Sequence, residues 1–175
     1  WIDSVISRII DVFFFFSLLL AAIVFMQMFR DSRSIWSVVF VLGIFGWVSI
    51  ARITRGTVMS TKQEEYVTAS KSLGASSSKI LFKHILPNST APIIVYATVS
   101  LGVVIVAEAS LSVLGIGLPS NVVSWGGDIS AAQDSLRTRP SILFYPAGGL
   151  VLTVLGFILM GDVVRDALDP KARKR

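Results

Sequence analysis

Apolar and polar positions fall along this chain in long blocks. Four stretches carry no Asp, Glu, Lys or Arg over about the length a helix needs to cross a hydrocarbon core, roughly 20 residues at about 1.5 Å each. They run 12–29, 34–51, 85–107 and 140–161. The first, "VFFFFSLLLAAIVFMQMF", is apolar all round, as expected of a helix facing lipid on much of its surface. The second follows after only "RDSR", a link that suits an antiparallel hairpin. In the third, Pro87 and Pro92 mark the entry, because proline is tolerated in a first helical turn and disruptive inside a helix; the span is therefore expected over 92–113. The fourth starts near Pro140 and carries Gly149, Thr153 and Gly156 at i, i+4 and i+7, a small-residue stripe against which another helix could pack closely.

Composition agrees with the pattern. Of the 175 residues, 53% are hydrophobic and 15% charged, and the mean hydropathy is +0.73, far more apolar than a soluble domain. The expected fold class is an all-α membrane protein, a polytopic helical bundle. The first residues, with Asp3, Arg8 and Asp11, do not read as a secretory signal peptide. Cys is absent and His84 is the only His, which excludes a disulfide framework, a zinc site and a thiol nucleophile. No Gly-x-x-x-x-Gly-Lys-Ser/Thr phosphate loop occurs, so any ATP that drives this protein is hydrolysed by another chain, and no cofactor is expected in this one.

Lys and Arg set the expected orientation. Arg52, Arg55, Lys62, Lys71, Lys79 and Lys83 fall between the second and third spans, and Arg165, Lys171, Arg173, Lys174 and Arg175 follow the fourth; the other two links hold only Arg30 and Arg33, and Arg137 and Arg139. The positive-inside rule places the 52–83 segment and the C-terminus in the cytoplasm. The net charge of +5 and the closing "DPKARKR" then read as a juxtamembrane anchor on the lipid bilayer, with no nucleic acid as partner.

The polar segment 60–87 has internal structure of its own. Thr61 and Glu64 fit a capping box, which would start a helix near Lys62. Gly74 is suited to the left-handed conformation that ends it, Ser76 to Ser78 offer caps for a second amphipathic helix, and Pro87 is expected to stop that one. Ala69, Ser70, Gly74 and Ala75 keep the bend small. Two readings fit: a docking element, or an interfacial loop lying on the headgroups.

The same segment resembles the "EAA" loop of bacterial ABC importer permeases, in which Glu-Ala-Ala, three residues, Gly, nine residues and Ile-x-Leu-Pro follow one another. Here the positions are Thr68-Ala69-Ser70, Gly74 and His84-Ile85-Leu86-Pro87. Thr68 replaces the usual acid, with Glu65 one turn earlier as its substitute. "EYV", "LGAS" and "HILPN" are similar to the dipeptide and oligopeptide permeases, as are "VAEASLSVLGIGLPSNVVSWGGDISAAQD" and "PAGGLVLTVLGFILMGDVVRDALDP". The resemblance implies the type I importer fold, with residues 1–175 forming the last four of six spans in a bacterial inner membrane. It also implies a second permease subunit, two cytosolic ATP-binding subunits that hold ATP and Mg, an extracytoplasmic substrate-binding protein and a peptide substrate. The island then becomes the ATPase-coupling element, with Glu65, Tyr66, Ala69, Ser70, Gly74, Ala75, His84 and Pro87 as its candidate residues. Nickel or glutathione import is the alternative within the family. A secondary transporter is the alternative outside it, although that class usually shows internal repeats and broken helices, and no repeat is visible here.

Glu108 lies late in the third apolar segment, with Ser112 one turn on. An intramembrane carboxylate is costly enough to suggest a place on the translocation path, where it could attract a peptide's amino terminus. A shallow, hydrated or hydrogen-bonded position is the competing reading. Gly115-x-Gly117 should end the helix. In the polar, extracytoplasmic segment 115–139, Trp125 reads as an interfacial anchor and Asp128 to Leu136 as a short helix.

Overall fold

The computed structural model describes residues 1–28 and 34–168, and these fold as helices joined by short links. In chain order they are α1 (Ile2–Phe15), α2 (Leu18–Met28), α3 (Ile35–Thr61), α4 (Glu65–Ser72), α5 (Ser77–Val113), α6 (Trp125–Gln133) and α7 (Ser141–Leu168). Among the described residues, α3, α5 and α7 are each long and apolar enough to cross a membrane. Arg30, Arg33 and the tail beyond Leu168 lie outside the described residues.

The expected first span, 12–29, is not one helix. The chain turns by 85° between α1 and α2, with Phe16 in an extended conformation. Both flanks explain the break. A run of bulky aromatic side chains, Phe13 to Phe16, supports a helix poorly, and α1 is tied to the end of α3. Arg55 donates through Nε and Nη2 to the two carboxylate oxygens of Asp3, each at 2.9 Å, and Arg52 reaches Asp11 at 3.2 Å while its guanidinium lies 3.6 Å above the Phe14 ring. Phe13 packs on Phe45 and Trp47. The 11 residues of α2 cover only about 16 Å, short of a hydrocarbon core of about 30 Å. Straight spanning therefore belongs to α3, α5 and α7.

The other spans start and end where sequence pattern is weakest. The second, expected over 34–51, continues to Thr61, because Arg52 and Arg55 are satisfied by α1 and Thr61 is buried against α5. The third begins at Ser77 rather than Pro92. Pro87 neither stops nor breaks it, because residues Leu81–Ile85 form one π turn, in which the Leu86 N–H reaches the Leu81 carbonyl. A wide turn relieves the clash between a proline ring and the preceding helical carbonyl. Side chains add bonds around the proline: Asn88 Nδ2 donates to His84 O at 2.7 Å, and Thr90 Oγ1 to Leu86 O at 2.7 Å.

The apolar core gathers Ala22 and Met26 of α2, Val38, Val41 and Leu42 of α3, Ala107 and Leu111 of α5, and Ile116. Behind it α5, α6 and α7 pack through glycines. A Cβ on Gly126 would fall 2.5 Å from Ala109 Cα, and one on Gly161 2.7 Å from Val99 Cγ2. Gly149 is covered by the Trp125 ring, so Trp125 wedges α6 against α7 while 41% of it stays exposed. Gly156 has nothing within 4 Å of a Cβ position, and Thr153 bonds within its own helix to Gly149 O at 2.8 Å. Of the two glycines in the small-residue stripe, Gly149 receives a close neighbour and Gly156 does not. The short helix α6 starts at Trp125, not Asp128, because Ser124 caps it by accepting from the Gly127 N–H at 3.0 Å.

Candidate functional site

The polar island folds into a compact helical hairpin. After α3 ends, Glu64 takes an extended conformation (φ −65°, ψ 143°) and α4 begins at Glu65. The expected capping box does not form. Glu64 occupies the cap position without a side-chain bond, and the Thr61 hydroxyl instead lies 3.5 Å from Ser89 Oγ in a buried contact between α3 and α5. The competing partner is tertiary: a buried hydroxyl needs an acceptor more than an exposed helix start needs a cap.

Gly74 ends α4 with φ +78°. The Ala75 N–H donates to Ser70 O at 3.1 Å and the Gly74 N–H to Lys71 O at 3.0 Å, the paired bonds of a Schellman motif, which need a left-handed residue at this position. Ser76 then caps α5 by accepting from the Lys79 N–H at 3.4 Å. The hairpin closes on His84, which lies in the π turn, a feature often found at functional positions. His84 Nε2 is 3.1 Å from Ser70 Oγ, the Tyr66 and His84 rings are 6.1 Å apart, and Val67 and Ile85 are buried beneath them.

The structure thus brings Tyr66, Ser70 and His84 together. Glu65, Ala69 and Gly74 lie exposed along the hairpin, with Ala75 half-buried. Pro87 is separate: with Ile53, Tyr96 and Arg165 it lines a different cavity, between α3, α5 and α7. Two residues missed in the sequence stand at the hairpin surface, Leu73 at 88% exposure and Phe82 at 67%. Their signal was present, as apolar residues inside a polar segment next to the bend. Exposed apolar side chains rimmed by polar ones are a usual mark of a docking surface.

Glu108 sits near the far end of α5. Ser112 Oγ donates to Glu108 Oε1 at 2.6 Å and accepts from the Leu118 N–H at 3.3 Å. Gly115, with φ +74°, ends α5 in a second Schellman motif, its N–H bonded to Ser112 O at 2.9 Å and the Ile116 N–H to Leu111 O at 3.0 Å. Ser112 therefore ties the carboxylate to the turn that follows, and Gly117 leaves room for it, since a Cβ there would collide with Ser112. Glu108 faces the groove between α3 and α5. Among the described residues, no three His, Asp or Glu side chains gather as a metal site would require.

Comparison with known proteins accords with this geometry. Residues 1–174 match the family described as "Binding-protein-dependent transport system inner membrane component". The chain is 41% identical over 172 residues to the oligopeptide transport system permease protein OppC of Bacillus subtilis, covering 98% of this chain and 56% of that protein. It is 38% identical to the glutathione transport system permease protein GsiD of Pectobacterium atrosepticum, over 99% of this chain and 57% of the relative. To the dipeptide transport system permease protein DppC of Alkalihalophilus pseudofirmus it is 37% identical, over 99% of this chain and 56% of the relative. The chain spans little more than half the length of these relatives.

Proposed function

The chain belongs to the family of binding-protein-dependent transport system inner membrane components, and we propose that it acts as a permease subunit of an ATP-driven importer of dipeptides or oligopeptides. In this reading it forms half of the translocation pathway in a bacterial cell membrane, beside a second permease subunit. Two cytosolic subunits bind and hydrolyse ATP with Mg, and an extracytoplasmic binding protein delivers the peptide. The segment 60–87 and the C-terminus face the cytoplasm, and 115–139 faces outward, consistent with the distribution of Lys and Arg.

The observation that carries the proposal is the α4–Gly74–α5 hairpin. It is polar, internally bonded, and exposes Leu73 and Phe82 on a surface that no other described residue covers. Such a surface suits a groove on the ATPase, with Glu65, Tyr66, Ala69, Ser70 and Ala75 around the bend. The π turn lies within α5 and joins the hairpin to the rest of that helix, so a displacement of the hairpin is transmitted along the helix that carries Glu108. Glutathione is a second candidate substrate, supported by the likeness to the GsiD permeases.

The test is uptake in sealed vesicles holding the assembled complex. Labelled peptide should accumulate with ATP and not with an ion gradient alone. Equal uptake on the gradient alone would overturn the proposal in favour of a secondary transporter.

A further inference from the structure

The groove between α3 and α5 is open, apolar and marked by one charge. It encloses about 550 Å³, within the range of small-molecule sites. Gly43, Gly46 and Trp47 of α3 line one side, and Ser100, Val104 and Glu108 of α5 the other. The latter three follow one another at i, i+4 and i+8, on one face of α5. A Cβ on Gly43 or Gly46 would meet nothing within 4 Å. If these helices had only to pack, side chains at both positions would fill the space, since protein interiors leave few voids. The glycines keep the groove clear.

Glu108 is held in place at the groove and only half used. Ser112 engages Oε1, whereas Oε2 has no hydrogen-bond partner among the described residues. Among the described residues, no Lys or Arg lines the groove. A carboxylate at membrane depth is expensive unless it pairs with something, and Ser112 supplies one neutral bond where a cation would supply a charge-assisted one.

We propose that this groove is a subsite for the primary ammonium of the transported substrate. Glu108 Oε2 accepts from the ammonium, and Trp47 and Val104 flank the apolar part of the molecule. The inference rests on the permease reading above and adds a substrate chemistry to it. The amino terminus of a dipeptide, an oligopeptide or glutathione is such an ammonium, so a subsite for it would serve any of them.

The sequence has no cysteine, which permits a direct test. In the assembled transporter with the full-length chain, free of other cysteines, Val104→Cys is treated with a cationic and an anionic methanethiosulfonate of similar size. One helical turn from the carboxylate, the cationic reagent should react about tenfold faster than the anionic one. Glu108→Gln should abolish that preference. n-Hexylamine should slow the reaction, n-hexanol should not, and the amine's protection should vanish in Glu108→Gln.

Equal rates for the two reagents, a preference that survives Glu108→Gln, or equal protection by amine and alcohol would overturn the subsite. So would a thiol inert to both reagents, the result expected if a lipid tail or a partner helix fills the groove. Peptide uptake with ATP, measured on the same vesicles, reports separately on the permease reading: uptake intact with no reagent preference sinks the subsite alone.

Discussion

Gly74 separates two effects that a bend residue usually mixes. Its φ of +78° makes any L side chain strained, yet a Cβ there meets nothing within 4 Å. Within the chain the cost of substitution is therefore backbone strain, about 1 to 3 kcal/mol, and bulk matters only to whatever docks on the hairpin. Gly74→Val should reach the membrane in near-normal amount but lose co-purification with the ATPase and lose peptide uptake, whereas Gly74→Ala should be milder on both. Full association and uptake in Gly74→Val would make the island an interfacial loop. The Ser70–His84 bond makes a different demand. A hydrogen bond of this kind contributes about 0.5 to 1.5 kcal/mol, so Ser70→Ala should raise hydrogen exchange in α4 by up to about tenfold, with His84→Ala adding little more. Additive increases from the two changes would show that they do not act as a pair.

At the scale of elements, what the sequence could disclose follows from which interactions are local. The Gly74 and Gly115 helix ends and the Ser76 cap were legible, because each depends on residues within one turn. The capping box at Thr61 and Glu64 was a local pattern overridden by a distant partner, Ser89. Pro87 misled for a related reason: a stop rule assumes an α-helical register, and the π turn changes the register just ahead of it. The bend between α1 and α2 rests on Arg55 and Arg52, more than 40 residues further along, which no window over 12–29 contains. Helix packing shows the same limit. The stripe Gly149, Thr153, Gly156 gives three small residues and no partners, while the structure distinguishes them. Gly126→Ala forces a Cβ to within 2.5 Å of Ala109 Cα and should destabilise by about 1 to 3 kcal/mol through overpacking. Gly156→Ala should be neutral or slightly stabilising, since it fills open space and favours helix. Thermal unfolding of the purified complex would compare them, and equal shifts would refute the close packing of α6 on α5.

For the molecule as a whole, the ion pairs decide which ends of the chain share a side. Arg52 and Arg55 stand on the last turns of α3, just before the α4–Gly74–α5 hairpin, and hold Asp11 and Asp3 of α1. Each exposed pair alone contributes little, about 0 to 1 kcal/mol, but with the Arg52–Phe14 contact and the packing of Phe13 they fix α1 along the same end of α3. The turn of 85° then sends α2 away from that end, and α5 carries the chain across to Gly115. The prediction is that α1 and the hairpin lie on one side of the membrane and α6 on the other. With no cysteine in the sequence, Ser4→Cys, Ser72→Cys and Gln133→Cys can be labelled singly with an impermeant thiol reagent, before and after the membrane is opened. Ser4→Cys and Ser72→Cys should react only from the cytoplasmic side and Gln133→Cys only from the outer side. Labelling of Ser4→Cys together with Gln133→Cys would mean that residues 2–28 begin and end on the outer side without crossing, so that the Asp3–Arg55 pair could not exist in the assembled protein. Arg55→Asp offers the complementary arm: it should loosen α1 and speed labelling at Ser4→Cys severalfold, and Asp3→Arg in the same chain should restore the slower rate. Restoration by the reversed pair is the outcome that a merely local effect of the single change could not produce.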